Sequence, residues 1–196
     1  MLIAQAKRAC ELFTDKTGDG SLSYAIRDRE PSPVLFMSIA LIGMPGCGKT
    51  TVGRRLAEVT GRVFYDTDEI IANRAGKSIE SIFDEDGEDA FRKMESDVLA
   101  EVSKECGCVI ATGGGIVKNE NNRKLLRQNS IVVFLERSPG SLPVDGRPLS
   151  RSQGVELLYN ERLPLYMEWC EHRITACGSA WQTAAAVLEK LGIVPI

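Results

Sequence analysis

The residues with the clearest chemical potential lie between Gly43 and Thr51, in the order Gly43-Met44-Pro45-Gly46-Cys47-Gly48-Lys49-Thr50-Thr51. This run satisfies GxxxxGK[ST], in which glycines let successive backbone amides turn inward and a following helix adds the partial positive charge of its N-terminus. Gly46, Cys47 and Gly48 would line the curl, Lys49 would reach the β- and γ-phosphates of a nucleotide, and Thr51 would help hold the α-phosphate. The Thr50 hydroxyl suits Mg²⁺, a hard cation that keeps most of its waters beside a nucleotide. A ligand-free glycine turn between strand and helix is the plain alternative. For Cys47 the alternatives are a thiolate favoured by the loop amides and a merely small residue.

A second group begins at Asp66-Thr67-Asp68, two carboxylates where a strand runs into a helix, the edge at which open α/β sheets bind ligands. Either Asp taken singly could be a helix N-cap, but capping alone does not account for both. Asp66 is expected near the waters of the Mg²⁺. Further on come Gly87-Glu88-Asp89-Ala90-Phe91-Arg92, then Thr112-Gly113-Gly114-Gly115, Gly146-Arg147-Pro148-Leu149, and Arg162-Leu163-Pro164-Leu165-Tyr166. Alone, Arg92 reads as a surface helix residue paired with Glu88, worth about 0.3 to 0.5 kcal/mol, and the three glycines read as a tight turn.

Taken in order, these motifs make residues 37 to about 175 resemble the shikimate kinase family. The resemblance implies ATP-dependent phosphorylation of the 3-hydroxyl of shikimate to shikimate 3-phosphate, a step towards aromatic amino acids, with Mg²⁺ as cofactor. It assigns Asp68 to the acceptor hydroxyls and to the proton, and Arg92 and Arg162 to the shikimate carboxylate. Gly113, Gly114 and Gly115 are implied to bring backbone amides to the same ligand. Lys49 and Arg147 are implied to neutralise the migrating phosphoryl group, with Arg147 on a closing loop that also meets ATP. Glu95 would orient Arg92 from one turn further along its helix.

Two regions depart from the family's pattern. Only Glu136 to Gly146 separate the expected strand ending at Leu135 from Arg147, and Pro139, Gly140 and Pro143 disfavour a regular helix there. The family's adenine-stacking arginine has no counterpart in this shortened lid. After Ala176 the chain reads Cys177-Gly178-Ser179-Ala180-Trp181 without the family's proline. Trp181 could stack on a base, though a Trp in a C-terminal helix is more often core.

These residues need a scaffold that brings them to one edge. Short apolar runs alternating with helical stretches predict a three-layer α/β/α fold around a mainly five-stranded parallel sheet, nucleoside-monophosphate-kinase-like by resemblance. Strands are expected at Ser38–Ile42, Arg62–Tyr65, Cys108–Ala111, Ile131–Leu135 and Arg173–Ala176. Helices are expected at Lys49–Thr60, Asp68–Ala75, Gly87–Lys104, Asn121–Arg127, Gly154–Cys170 and Ser179–Leu191.

Residues 1–36 read as a separate segment ahead of a kinase-like domain at 37–196. Leu2, Ala6, Ala9 and Phe13 share a helical stripe, and a Gly- and Pro-containing linker follows. Residues 1–13 resemble the closing helix of shikimate dehydrogenases, in which a Gln at the place of Gln5 contacts shikimate. The resemblance suggests a dehydrogenase–kinase fusion or a descendant of one; a helix docking on the kinase or on a partner subunit is the alternative.

Composition narrows the remaining classes. A net charge of −3 over 196 residues gives no bulk attraction to nucleic acid. The longest nearly apolar stretch, Val34 to Met44, is about eleven residues against roughly 20 for a membrane span. The first residues lack a secretory core, and six cysteines without a CxxC pair are expected as reduced thiols, so a cytoplasmic protein, monomeric or fused, is expected. The single His172 disfavours both a catalytic triad and a His-rich metal site. Competing readings are a kinase of another polyol acid such as gluconate, and a catalytically weakened binding module.

Overall fold

A computed structural model describes residues 36–142, 154–176 and 178–195. The expected N-terminal helix, Arg147 and Cys177 lie outside the described residues. Residues 37–196 form a compact unit by themselves.

Strand β1 (Ser38–Ile42) is buried at every residue, and its successive side chains point to opposite faces, so both faces of the sheet must be covered. Helix α1 (Lys49–Thr60) follows the glycine loop and packs Val52 and Leu56 inward. The chain continues through β2 (Phe64–Asp66), α2 (Thr67–Ala75), α3 (Ile79–Glu85) and α4 (Gly87–Val102). Then come β3 (Val109–Ala111), a 3₁₀ turn at Ile116–Lys118, α5 (Glu120–Asn129) and β4 (Ser130–Glu136). After a 3₁₀ turn at Pro139–Ser141 and the residues not described, α6 (Val155–Trp169), β5 (His172–Thr175) and α7 (Ala180–Leu191) complete the unit.

The strand order is β2-β3-β1-β4-β5, and all four pairings are parallel. Parallel pairing sends every carboxyl end to one edge. There the loops carrying Lys49, Asp68 and the three glycines must meet. The direction of winding reverses at β1, with β3 on one side and β4 on the other, which opens a crevice at its carboxyl end.

Expected elements and structure agree closely, with β1 and α1 at the same bounds. Strand β2 is shorter and begins at Phe64, and α4 stops at Val102. Helix α3 was not anticipated: a seven-residue helix is too short to show a period, although the Ser78 hydroxyl caps it by accepting from the Ser81 amide at 3.1 Å. The expectation that Trp181 is core is overturned, since it is 49% exposed near the start of α7. The core place belongs to Trp169, which is 1% exposed at the end of α6.

Candidate active site

The loop between β1 and α1 takes the expected curl. Gly46 and Gly48 have φ of 80° and 106°, a region that disfavours side chains, and this conformation turns the backbone tightly around the Lys49 ammonium. Lys49 is buried and donates to the carbonyls of Gly43 at 2.8 Å and Met44 at 2.9 Å. Cys47 is also buried, with its Sγ 3.0 Å from where a Cβ on Gly43 would stand. It fills the inside of the loop, which accords with a residue chosen for small size.

Asp66 uses its two carboxylate oxygens for two different partners. Its Oδ1 caps α2 by accepting from the amides of Asp68 at 3.0 Å and Glu69 at 3.3 Å, while Oδ2 accepts from the Thr50 hydroxyl at 2.6 Å. The capping leaves Asp68 in the first turn of α2, aimed elsewhere. Its Oδ1 is shut off from solvent and has no hydrogen-bond partner. Burial, with the Glu95 and Asp66 charges adding to it against Lys49 and Arg92, pushes the Asp68 carboxyl from its ordinary 3.8 up to about 7.

The three glycines after β3 are forced by close approach. A Cβ on Gly113 would stand 2.8 Å from Asp68 Oδ1 and would collide with the Glu95 carboxylate. One on Gly114 would stand 2.5 Å from Pro45 Cδ, and one on Gly115 would collide with the Arg92 guanidinium. A turn needing only backbone freedom would not bring four side chains so near, and none of these glycines has a positive φ. The Gly113 amide donates to Thr67 Oγ1 at 3.1 Å, so it is already committed.

Arg92 is not the surface residue its spacing to Glu88 allowed. Its side chain is 17% exposed, and its guanidinium pairs with Glu88 at 3.1 Å and with fully buried Glu95 at 2.7 Å. Burial, opposed by Arg92, Arg162 and Lys49, raises the Glu95 carboxyl above its usual range. On α6, Arg162 is buried and donates from one terminal nitrogen to the Gly114 carbonyl at 3.0 Å, while its Nε and other terminal nitrogen have no partner. A buried guanidinium with donors left over is costly unless an anion completes it.

Tyr166, which in the sequence is only the last residue of a motif, is a positioning group of this loop. It lies one turn beyond Arg162, donates to the same Gly114 carbonyl at 2.5 Å, and stacks on Phe134 with ring centroids 5.0 Å apart. The i, i+4 spacing of Arg162 and Tyr166 was the available signal, but which carbonyl they share depends on where α6 crosses the glycine loop.

Lys49, Thr50, Asp66, Asp68, Arg92, Gly113, Gly114, Gly115 and Arg162 therefore converge at the carboxyl edge of the sheet, and Arg147 lies outside the described residues. The shikimate kinase family model matches residues 45–192. The chain belongs to the shikimate kinase family. A shikimate kinase of Clostridium botulinum (strain Eklund 17B / Type B) is 38% identical over 78% of this chain and 95% of the relative. One from Nitrosomonas europaea is 41% identical over 79% and 76%, respectively. The solved shikimate kinase of Acinetobacter baumannii in complex with shikimate superposes with a TM-score of 0.74 at 38% identity, covering 79% of this chain and 92% of that one.

Proposed function

We propose that this protein transfers the terminal phosphoryl group of ATP to the 3-hydroxyl of shikimate, giving shikimate 3-phosphate and ADP. The observation that carries the reading is the convergence of two arginines and one raised, unpartnered carboxyl on the glycine loop, directly beside the phosphate-binding loop. A small polyhydroxy acid needs cationic forks for its carboxylate and an acceptor for its hydroxyl protons. Arg92 and Arg162 supply the forks. Asp68 Oδ1 supplies the acceptor.

Shikimate enters with its carboxylate towards Arg162 and Arg92, satisfying the orphaned nitrogens of Arg162, and the amides of Gly114 and Gly115 face the same ligand. Its 3-hydroxyl hydrogen-bonds to Asp68. A carboxyl with a pKa of about 7 is near the optimum for taking a proton at neutral pH. As the hydroxyl oxygen attacks the γ-phosphorus and the bond to the β-phosphate breaks, the proton passes to Asp68. Lys49 leaves the loop carbonyls for the phosphate oxygens and offsets their charge, with Arg147 as a second cation. Positioning and charge stabilisation supply most of the acceleration in such transfers.

The Thr50 hydroxyl and the Asp66 carboxylate, 2.6 Å apart, form an all-oxygen pair that fits Mg²⁺, Thr50 directly and Asp66 through water. When bound, the ion neutralises charge on the β- and γ-phosphates. A cytoplasmic setting is supported by the free state of Cys47, Cys106, Cys108 and Cys170. Among the described residues no helix is long and apolar enough to cross a membrane.

The test is ADP release by the purified protein with Mg·ATP and shikimate, gluconate or no acceptor. Turnover only with shikimate is expected. Absence of shikimate-dependent turnover, or an equal rate with gluconate, refutes the proposal.

A further inference from the structure

On the acceptor side of the site, Arg92 is held by more carboxylate than one guanidinium needs. Its Nε and one terminal nitrogen donate to Glu88 Oε1 at 3.2 and 3.1 Å, and its other terminal nitrogen donates to Glu95 Oε2 at 2.7 Å. One cation facing two carboxylates has no surplus positive charge with which to draw a third, the carboxylate of an incoming acid. A second cation meets this cluster at Glu88. Lys118, the last residue of the 3₁₀ turn after the glycine loop, brings its ammonium to 3.3 Å from the same Glu88 Oε1, and its amide donates to the Gly115 carbonyl at 3.0 Å. The Arg92 guanidinium lies so close against Gly115 that a Cβ there would collide with it, so Arg92, Glu88, Lys118 and Gly115 form a closed ring. Against burial, which acts to raise it, Arg92 and Lys118 hold the Glu88 carboxyl below its usual range, so it is an anion at neutral pH.

We propose that Lys118 is a positioning residue for the carboxylate of the acceptor, taking over Glu88 so that Arg92 can turn its donors from Glu88 to the substrate. The proposal rests on the acceptor reading given above and adds to it a residue that has no part in the transfer. Glu95 is fully buried, whereas the Glu88 and Lys118 side chains are 32% and 36% exposed at the rim of the site. Glu95 is therefore the fixed partner of Arg92, and Glu88 is the exchangeable one. When the substrate carboxylate displaces Glu88 from Arg92, two carboxylates stand close together, and an unpaired Glu88 would oppose the exchange. The Lys118 ammonium offsets that charge, and as a point charge on a flexible stem it can follow Glu88 towards solvent. A plain tether between α4 and the glycine loop would use the same ion pair, but the two roles differ in what Glu88 does. For a tether, losing Glu88 is as harmful as losing Lys118. For the exchange, losing Glu88 removes the need for Lys118.

The experiment measures kcat, the KM for shikimate and the directly titrated Kd for shikimate in wild type, Lys118→Met, Lys118→Arg, Glu88→Gln and the double variant Glu88→Gln/Lys118→Met, with a thermal melt to verify that each is folded. Lys118→Met should raise the KM and Kd for shikimate about fivefold, the upper size of a partly exposed ion-pair charge, with kcat and the Kd for Mg·ADP unchanged. Lys118→Arg should stay near wild type, and Glu88→Gln should bind shikimate at least as tightly as wild type. The double variant should return to within about twofold of the wild-type Kd, since no unpaired Glu88 remains in it. An unchanged KM in Lys118→Met overturns the proposal. So does a double variant as impaired as Lys118→Met, or an equally impaired Glu88→Gln, because either result is that of a tether. A wild type that neither binds nor phosphorylates shikimate overturns the acceptor reading and this proposal with it, whereas a wild type that does both, with all variants alike, overturns the role of Lys118 alone.

Discussion

Replacing Asp68 by Asn keeps the side chain's size and removes its ability to take a proton, so it isolates the chemistry from the packing. Loss of a positioned general base costs about 10²- to 10⁴-fold in rate, and kcat with shikimate should fall by that much while the Kd for Mg·ADP stays at the wild-type value. The wild-type kcat/KM should rise with pH and level off above about pH 7, following the free enzyme's Asp68. Stability provides an independent reading. A carboxyl whose folded pKa is raised binds its proton more tightly in the fold, so its contribution is fully present below the unfolded value of 3.8 and is lost as pH rises to about 7. At 1.36 kcal/mol per pH unit, a fully enclosed group would lose about 4 kcal/mol over that range. Asp68 is partly exposed as a residue, although its Oδ1 is enclosed, so about 2 kcal/mol is expected after screening. For a domain of this size that corresponds to about 4 to 8 °C in Tm. Melting the two proteins without nucleotide, in a chelator, should show Asp68→Asn gaining that much on the wild type between pH 4 and pH 8. Turnover near the wild-type rate, or a Tm difference that ignores pH, would refute the assignment of the proton to Asp68.

Lys49→Met should damage nucleotide binding and turnover together, in contrast to Asp68→Asn, as read by ADP titration and the same rate assay. Arg162→Lys should raise the KM for shikimate and abolish the thermal shift given by shikimate, which at a hundred times its Kd is worth about 2.7 kcal/mol in the wild type, because one ammonium cannot replace a planar fork. Gly114→Ala places a Cβ 2.5 Å from Pro45 Cδ, so one of the two loops must move. A destabilisation of about 1 to 3 kcal/mol by chemical denaturation is expected, with weaker binding of both ATP and shikimate. Removing residues 1–36 should leave shikimate-dependent turnover intact, and a folded truncation without activity would contradict the reading of that segment as separate from the kinase.

The elements and the phosphate-binding loop were legible in the sequence because each is a local matter. Five apolar runs spaced by amphipathic stretches give strands and helices, and glycines before Lys49 give the curl, whatever lies across the sheet. The candidate site was legible through its motifs, residue by residue, but each residue's work was not. Asp66 and Asp68 are both plausible caps in one dimension; only the placement of Thr50 beside Asp66 Oδ2 and of Gly113 beside Asp68 Oδ1 separates a capping carboxylate from an enclosed, raised one.

What the sequence by itself determined, then, is the order of strands and helices, the phosphate-binding loop, the absence of any global attraction for anions, and which residues are candidates. Those follow from backbone preferences, periodicity and charge counts, which need no partner distant in the chain. The tertiary structure alone decided that Arg92 is enclosed, that Arg162 and Tyr166 share the Gly114 carbonyl, and that Trp181 is outside the core while Trp169 is within it. A pKa, an orphaned donor and an exposed indole depend on what other segments take away from water, and segments 16 to 52 residues apart meet here only because parallel strands deliver their ends to one edge.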